Sequence, residues 1–217
     1  MNRILVILLL NLVVLRSFGQ NREAGFSHYI FPEFENGTVL MKSGKHQQLL
    51  LNYNALSQEM IFDDKGTKLA ISQEDMEKVD TVFIGGREFF VLNGHFVELI
   101  YRSAYELYAE YRCDVKYPGK PSGYGGTSET SSVSTYSGVY SGGLLYELKL
   151  PDDFKINPYL ICWIKKDGEI KRFVNLKQLS KIFGDRKGLI EEYVRSNKTD
   201  YNDIESLIRL IRYLESD

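Results

Sequence analysis

The stretch from Val79 to Cys113, VDTVFIGGREFFVLNGHFVELIYRSAYELYAEYRC, decides the fold. It breaks into apolar or alternating runs at Val79 to Ile84, Glu88 to Leu92, His95 to Tyr101 and Tyr105 to Cys113, and between the first three stand Gly85-Gly86 and Asn93-Gly94. Such glycine pairs supply the two positive φ angles of a tight hairpin turn, so the runs are expected to pair antiparallel. In the last run Tyr105, Leu107, Ala109 and Tyr111 alternate with Glu106, Tyr108 and Glu110. That is the period of a strand with one face buried and one wet.

Upstream the same grammar continues. Strands are expected at Tyr29 to Phe31, Thr38 to Met41, Gln47 to Tyr53, Glu59 to Phe62 and Lys68 to Ile71, separated by Glu35-Asn-Gly37, Ser43-Gly44 and Asp63-Asp-Lys-Gly66 as turns. Downstream it is interrupted. Pro118 to Gly143 spans 26 residues with seven Gly, seven Ser, three Thr and three Tyr, a length that inside a domain marks a functional loop or a disordered excursion. Strands should resume at Leu144 to Leu150 and at Tyr159 to Lys165, the latter hairpinned through Asp167-Gly168 to Glu169–Val174.

The last part of the chain changes period. Asn175 with Gln178 resembles a capping box, Leu176, Leu179 and Phe183 form a stripe, and Gly184 closes that helix. A second, short helix is expected to follow, capped by Asp185, with Leu189, Ile190, Tyr193 and Val194 inward. The third begins at Asn202 with Glu205 three residues on, and Ile204, Leu207, Ile208, Ile211 and Leu214 make its apolar face. The expected class is therefore α+β, rich in β: an antiparallel meander, barrel-like or sandwich, with three C-terminal helices packed on it.

The other end of the chain speaks to location. Met1-Asn-Arg3 is a short basic stretch, Ile4 to Leu15 an apolar one broken only by Asn11, and Ser17 and Gly19 put small residues where a signal peptidase reads. Twelve residues fall short of the roughly 20 that cross a bilayer, so residues 1–19 are expected to be cleaved, leaving Gln20 first. No transmembrane segment is expected after that cleavage. The expected parts are the signal at 1–19, the β domain at 20–174 with its loop at 118–143, and the helical segment at 175–217. The expected compartment is the periplasm or the exterior, including association with the outer membrane.

Of 217 residues, 27 are Lys or Arg and 29 Asp or Glu. Loss of Arg3 and Arg16 with the signal leaves 25 against 29, a net charge of −4. Nucleic acid is therefore not an expected partner, because no basic cluster offers a footprint for phosphates. The two cysteines, Cys113 and Cys162, lie in strand-like runs; in an oxidising compartment they either pair or remain buried free thiols. A cysteine nucleophile is the weaker alternative, since His28, His46 and His95 are all remote in sequence.

No spacing calls for a catalytic residue, a cofactor or a metal. The Lys120 region lacks the Gly-x4-Gly-Lys-Ser/Thr order of a phosphate loop, and Ser141 lacks the first glycine of a nucleophile elbow. Asp63-Asp64 and Asp152-Asp153 read as turn carboxylates, and His95 and Glu98, three apart on a strand, point to opposite faces. Asp80-Thr81-Val82 matches a short bacterial O-glycosylation pattern, and Asn36-Gly-Thr38 and Asn197-Lys-Thr199 match the N-glycan sequon, though each is also ordinary strand or turn sequence. Within the long loop Tyr124, Tyr136 and Tyr140, set among adaptable Ser and Gly, have the composition of a contact surface for a partner protein or glycan.

Tyr117-Pro-Gly-Lys-Pro121, Gly123-Tyr-Gly-Gly-Thr-Ser128, Thr130-Ser-Ser132, Leu148-Lys-Leu-Pro-Asp-Asp-Phe154 and the helical tail from Phe183 to Leu214 resemble a family of exported proteins of Bacteroidota. The likeness runs from about Phe31 to the C-terminus. It implies export and a single structural unit, and it transfers no activity and no functional residue. Two functions follow as expectations: a non-enzymatic binding or envelope-associated module, and as the alternative a hydrolase of glycan or peptide that gathers acids such as Glu129, Asp152 or Asp153 in the fold.

Overall fold

Four two-residue turns set the meander. Lys65-Gly66, Gly85-Gly86, Asn93-Gly94 and Asp167-Gly168 all have both φ angles positive, between 50° and 95°, the geometry whose twist matches paired strands. They join β3 (Glu59–Asp64) to β4 (Thr67–Ala70), β5 (Val79–Ile84) to β6 (Arg87–Leu92), β6 to β7 (His95–Arg102), and β11 (Lys155–Lys166) to β12 (Glu169–Phe173). With β1 (Glu35–Met41), β2 (His46–Asn54) and β8 (Glu106–Lys116) they build an open ten-stranded sheet, antiparallel throughout, in the order β12-β11-β8-β7-β6-β5-β1-β2-β3-β4. The structure, a computed structural model, describes residues 27–116, 120–121, 127–128, 145–150 and 154–216.

Several expectations change in detail. Asn36-Gly37 is not a turn but lies inside β1, where a Cβ on Gly37 would meet the Phe83 carbonyl at 2.5 Å and the Leu51 side chain at 2.8 Å. Glycine is there for close approach of neighbouring strands. Tyr29 to Phe31 is reduced to a single bridge from Tyr29 to Asn54, and the chain bends over residues 30–33. Buried Asn52 holds that bend, accepting from Phe31 N at 3.2 Å and donating to the carbonyls of Phe31 and Glu33 at 2.9 and 3.0 Å. A one-turn helix, α1 (Gln73–Met76), capped by Ser72, carries the chain from β4 back to β5 beside β1.

Described residues 145–150, expected as a strand, are turn and irregular backbone. Three consecutive carbonyls there are held by side chains: Leu145 O by Asn54 Nδ2 at 2.7 Å, Tyr146 O by Tyr29 OH at 3.3 Å and Glu147 O by His28 Nε2 at 2.7 Å. Side-chain donors do the work of a ladder. Within the long loop, β9 (Lys120–Pro121) and β10 (Thr127–Ser128) pair as a small separate sheet, so that segment is not wholly without structure.

One continuous core lies between the sheet and the helices α2 (Leu176–Ile182), α3 (Lys187–Asn197) and α4 (Ile204–Ser216), with Phe89, Phe96, Leu107, Cys162, Ile164, Phe173, Leu179, Leu207 and Ile211 among its buried members. Asn175 caps α2 as expected, its side chain accepting from Gln178 N, while Gln178 reaches back to Val174 N rather than to the cap itself. Asp185 caps nothing: it falls in a 3-10 turn, Gly184–Arg186, and α3 begins without a side-chain cap. Asp203, not Asn202, receives Glu205 N at the start of α4. Glu215 then ties the end of α4 to the β7–β8 connection, accepting from Tyr101 OH at 2.6 Å and Tyr105 N at 2.8 Å. No helix among the described residues is long and apolar enough to cross a membrane.

Candidate functional site

Residues directly opposite in an antiparallel ladder share a face. The pairs Tyr108 with Trp163, Glu110 with Ile161, Arg112 with Tyr159 and Trp163 with Arg172 therefore place these side chains together on the side of β8, β11 and β12 away from the helices. The alternation expected along β8 holds, but its second face is not wet. Tyr108, Val97, Ile161 and Trp163 form a second, small apolar cluster there, and Glu110 is fully buried beside it.

A buried carboxylate needs partners to offset its lost hydration. Glu110 has Arg112 Nε at 2.7 Å, Trp163 Nε1 at 3.2 Å and His95 Nδ1 at 3.8 Å. On the opposite face Glu98, also fully buried, is gripped bidentately by Arg87 through Nε at 2.9 Å and Nη2 at 2.6 Å, and accepts from Tyr111 OH. His95 and Glu98 thus do point to opposite faces. The two acids are separated by the sheet and each is occupied by donors of this chain, so they do not form a catalytic pair across a cleft.

Beside this cluster β12 is shorter than β11. Beyond the pair of Cys162 with Phe173 the outer edge of β11 has no strand next to it among the described residues. There the chain leaves a notch of about 440 Å³ lined by Arg112, Tyr159, Ile161, Arg172, Tyr201 and Asn202, among others. Tyr159 is 37% exposed, enough to present a ring face. Burial raises its phenol above the ordinary value, as does Asp114 nearby, while Arg112 opposes both. Arg172 is exposed and, among the described residues, makes no ion pair. Tyr201 OH lies 3.1 Å from both Leu160 O and Phe173 O, closing the gap where β12 departs.

The other residues singled out from sequence fall elsewhere. Tyr124, Tyr136 and Tyr140 lie outside the described residues, as do Glu129, Asp152 and Asp153. Asp63 serves its turn, accepting from Gly66 N at 2.6 Å. Thr81 is only 4% exposed and donates to Asp80, so in the folded chain its hydroxyl is closed to a modifying enzyme. Asn36 and Asn197 are exposed. No group of three or more potential metal-ligating side chains occurs among the described residues.

Of the two alternatives for the cysteines, the structure has the free thiols. Cys113 and Cys162 are buried free thiols; they lie on adjacent strands and one face, but Cys113 is opposite Pro158 and Cys162 opposite Ala109. That four-residue offset is about 13 Å along the strands, against a limit of about 7 Å between Cα atoms for a bridge.

The notch residues were not singled out from sequence, since Arg112, Tyr159 and Arg172 come from three strands and meet only through register. The one local hint was the Arg and Tyr at strand positions facing away from the apolar stripe. Comparison of the chain with protein-family models, curated proteins and solved structures gives no match.

Proposed function

We propose that the mature chain is an exported, non-enzymatic binding module that engages a component of the cell envelope through the outer face of β8, β11 and β12. The observation that carries this reading is the notch: an exposed ring, an exposed guanidinium and Asn202 converge on it. It lies on the same strands that bracket the Gly/Ser/Tyr-rich excursion. β8 ends at Lys116 and β11 begins at Lys155, opposite one another, so residues 117–154 leave and return at one place, and Arg112 and Tyr159 stand four residues in. Tyr124, Tyr136 and Tyr140 would add contacts from that excursion.

The test is capture from envelope extract by the immobilised mature protein beside its Tyr159→Ala variant. A component retained by the first and lost by the second supports the reading. Equal capture by both would place the contact elsewhere, and release of shortened glycan or peptide products during incubation would favour the hydrolase instead.

A further inference from the structure

We infer that the ligand of the notch is an acidic glycan, a chain of uronate sugars whose carboxylate pairs with Arg172 while a sugar ring lies on Tyr159. The inference rests on the binding-module reading and adds the chemistry of the ligand. Of the two cations that line the notch, Arg112 and Arg172, it is Arg172 that is exposed, on the edge strand, and without an ion pair among the described residues. Its planar fork suits a carboxylate. Arg112 acts differently. Its guanidinium is committed to buried Glu110 and also interacts with the Tyr159 phenol, so it holds the ring in place and is a positioning residue.

Asp114, exposed near Tyr159 though outside the lining of the notch, offers acceptor oxygens for sugar hydroxyls beside it, and Arg172 with Asn202 offers donors within it.

A peptide fits less well, because the outer edge of β11 lacks two of the backbone groups that strand addition would use. Extended peptides gain their affinity from backbone hydrogen bonds to a free edge. Cys113 N bonds Ala55 O, away from β11, and Pro158 opposite it has no N–H to give. Two residues on, the Leu160 carbonyl is already met by Tyr201 OH. What remains for recognition is side chains: the Tyr159 ring, the Arg172 guanidinium and hydroxyl-binding amide and carboxylate groups.

The experiment is calorimetric titration of the mature protein with tetramers of galacturonate, glucuronate and mannuronate, with the methyl ester of the one that binds, and with tetraglutamate. A uronate tetramer should bind, its methyl ester at least tenfold more weakly, and tetraglutamate no better than the ester. Arg172→Gln should weaken the uronate at least tenfold with an unchanged thermal midpoint, and Arg172→Lys should restore part of the loss. Tyr159→Ala should weaken acid and ester alike. Failure of all three uronates, equal binding of acid and ester, or indifference to Arg172→Gln would overturn the inference. If envelope capture were still lost with Tyr159→Ala, the binding-module reading would survive it; tighter binding of tetraglutamate would make the ligand an acidic peptide.

Discussion

His28 is fully buried with one ring nitrogen on the Glu147 carbonyl, while its Nδ1 has no hydrogen-bond partner among the described residues. Burial lowers its pKa below the ordinary 6.5, although the acids Glu59 and Glu147 lie in the same neighbourhood around Tyr29 and Tyr146. The unfolded chain therefore takes up the proton first. The stabilisation is complete above about 6.5 and is lost as pH falls from there through the depressed folded-state value. The thermal midpoint should drop between pH 7 and 5, and His28→Gln, whose amide can still donate to Glu147 O without titrating, should flatten that drop. An equal drop in the variant would assign it to another group. For Glu98→Ala we expect a loss of about 3–5 kcal/mol in urea unfolding, because Arg87, with a side chain 12% exposed, is left as a buried cation. Burial pushes both thiols up to about 12, so the native protein should not react with a disulfide reagent and a reductant should leave its midpoint unchanged. Of these groups the sequence made only the cysteines conspicuous, and there it could not choose between bridge and free thiol. Register decides that choice, and register is long-range.

Local chemistry was legible where the physics is local. The two-residue turns follow from glycine alone, and α2 and α4 from a 3.6-residue stripe with a capping residue beside it. Where a turn motif and a strand compete, the neighbours decide: Asn36-Gly37 resembles a hairpin turn, yet the crowding by Phe83 O and Leu51 makes it the one place in β1 where a side chain does not fit. Gly37→Ala should accordingly destabilise by about 1–3 kcal/mol, read as a lower denaturant midpoint at unchanged slope. A Gly44→Ala control, with no atom near its Cβ but φ at +81°, should show only the cost of that backbone angle. Caps were misplaced by one residue at α4, since Asn202 and Asp203 are both good caps and docking of the helix selects between them. The missing strand at residues 145–150 has another cause. Its alternation is strand-like, but its backbone bonds go to His28, Tyr29 and Asn54, partners about 90 to 120 residues away in the chain.

At the scale of the whole molecule, nearest-neighbour pairing was readable and the two long jumps were not. β5 returns to the far side of β1, and β8 finds β11 across the long excursion; nothing in either strand names its partner. The second jump sets the cost of altering the loop. With eleven residue pairs joining β8 to β11, replacing Ser122 to Ser141 by a short Gly/Ser linker should leave the thermal midpoint nearly unchanged, since closure entropy shifts by only about 0.6 kcal/mol per doubling of length. Capture of the envelope component should weaken. A large fall in the midpoint would show that the segment belongs to the core. The same pairing carries a consequence for how the chain can be divided. A break anywhere between 117 and 144 severs no row of the ten-stranded sheet, and it leaves β11, β12 and all three C-terminal helices on one piece with residues 145–150. Two separately made halves should then recognise each other and reassemble, each supplying the hydrogen-bonding edge that the other lacks, so the protein contains its own complementation pair.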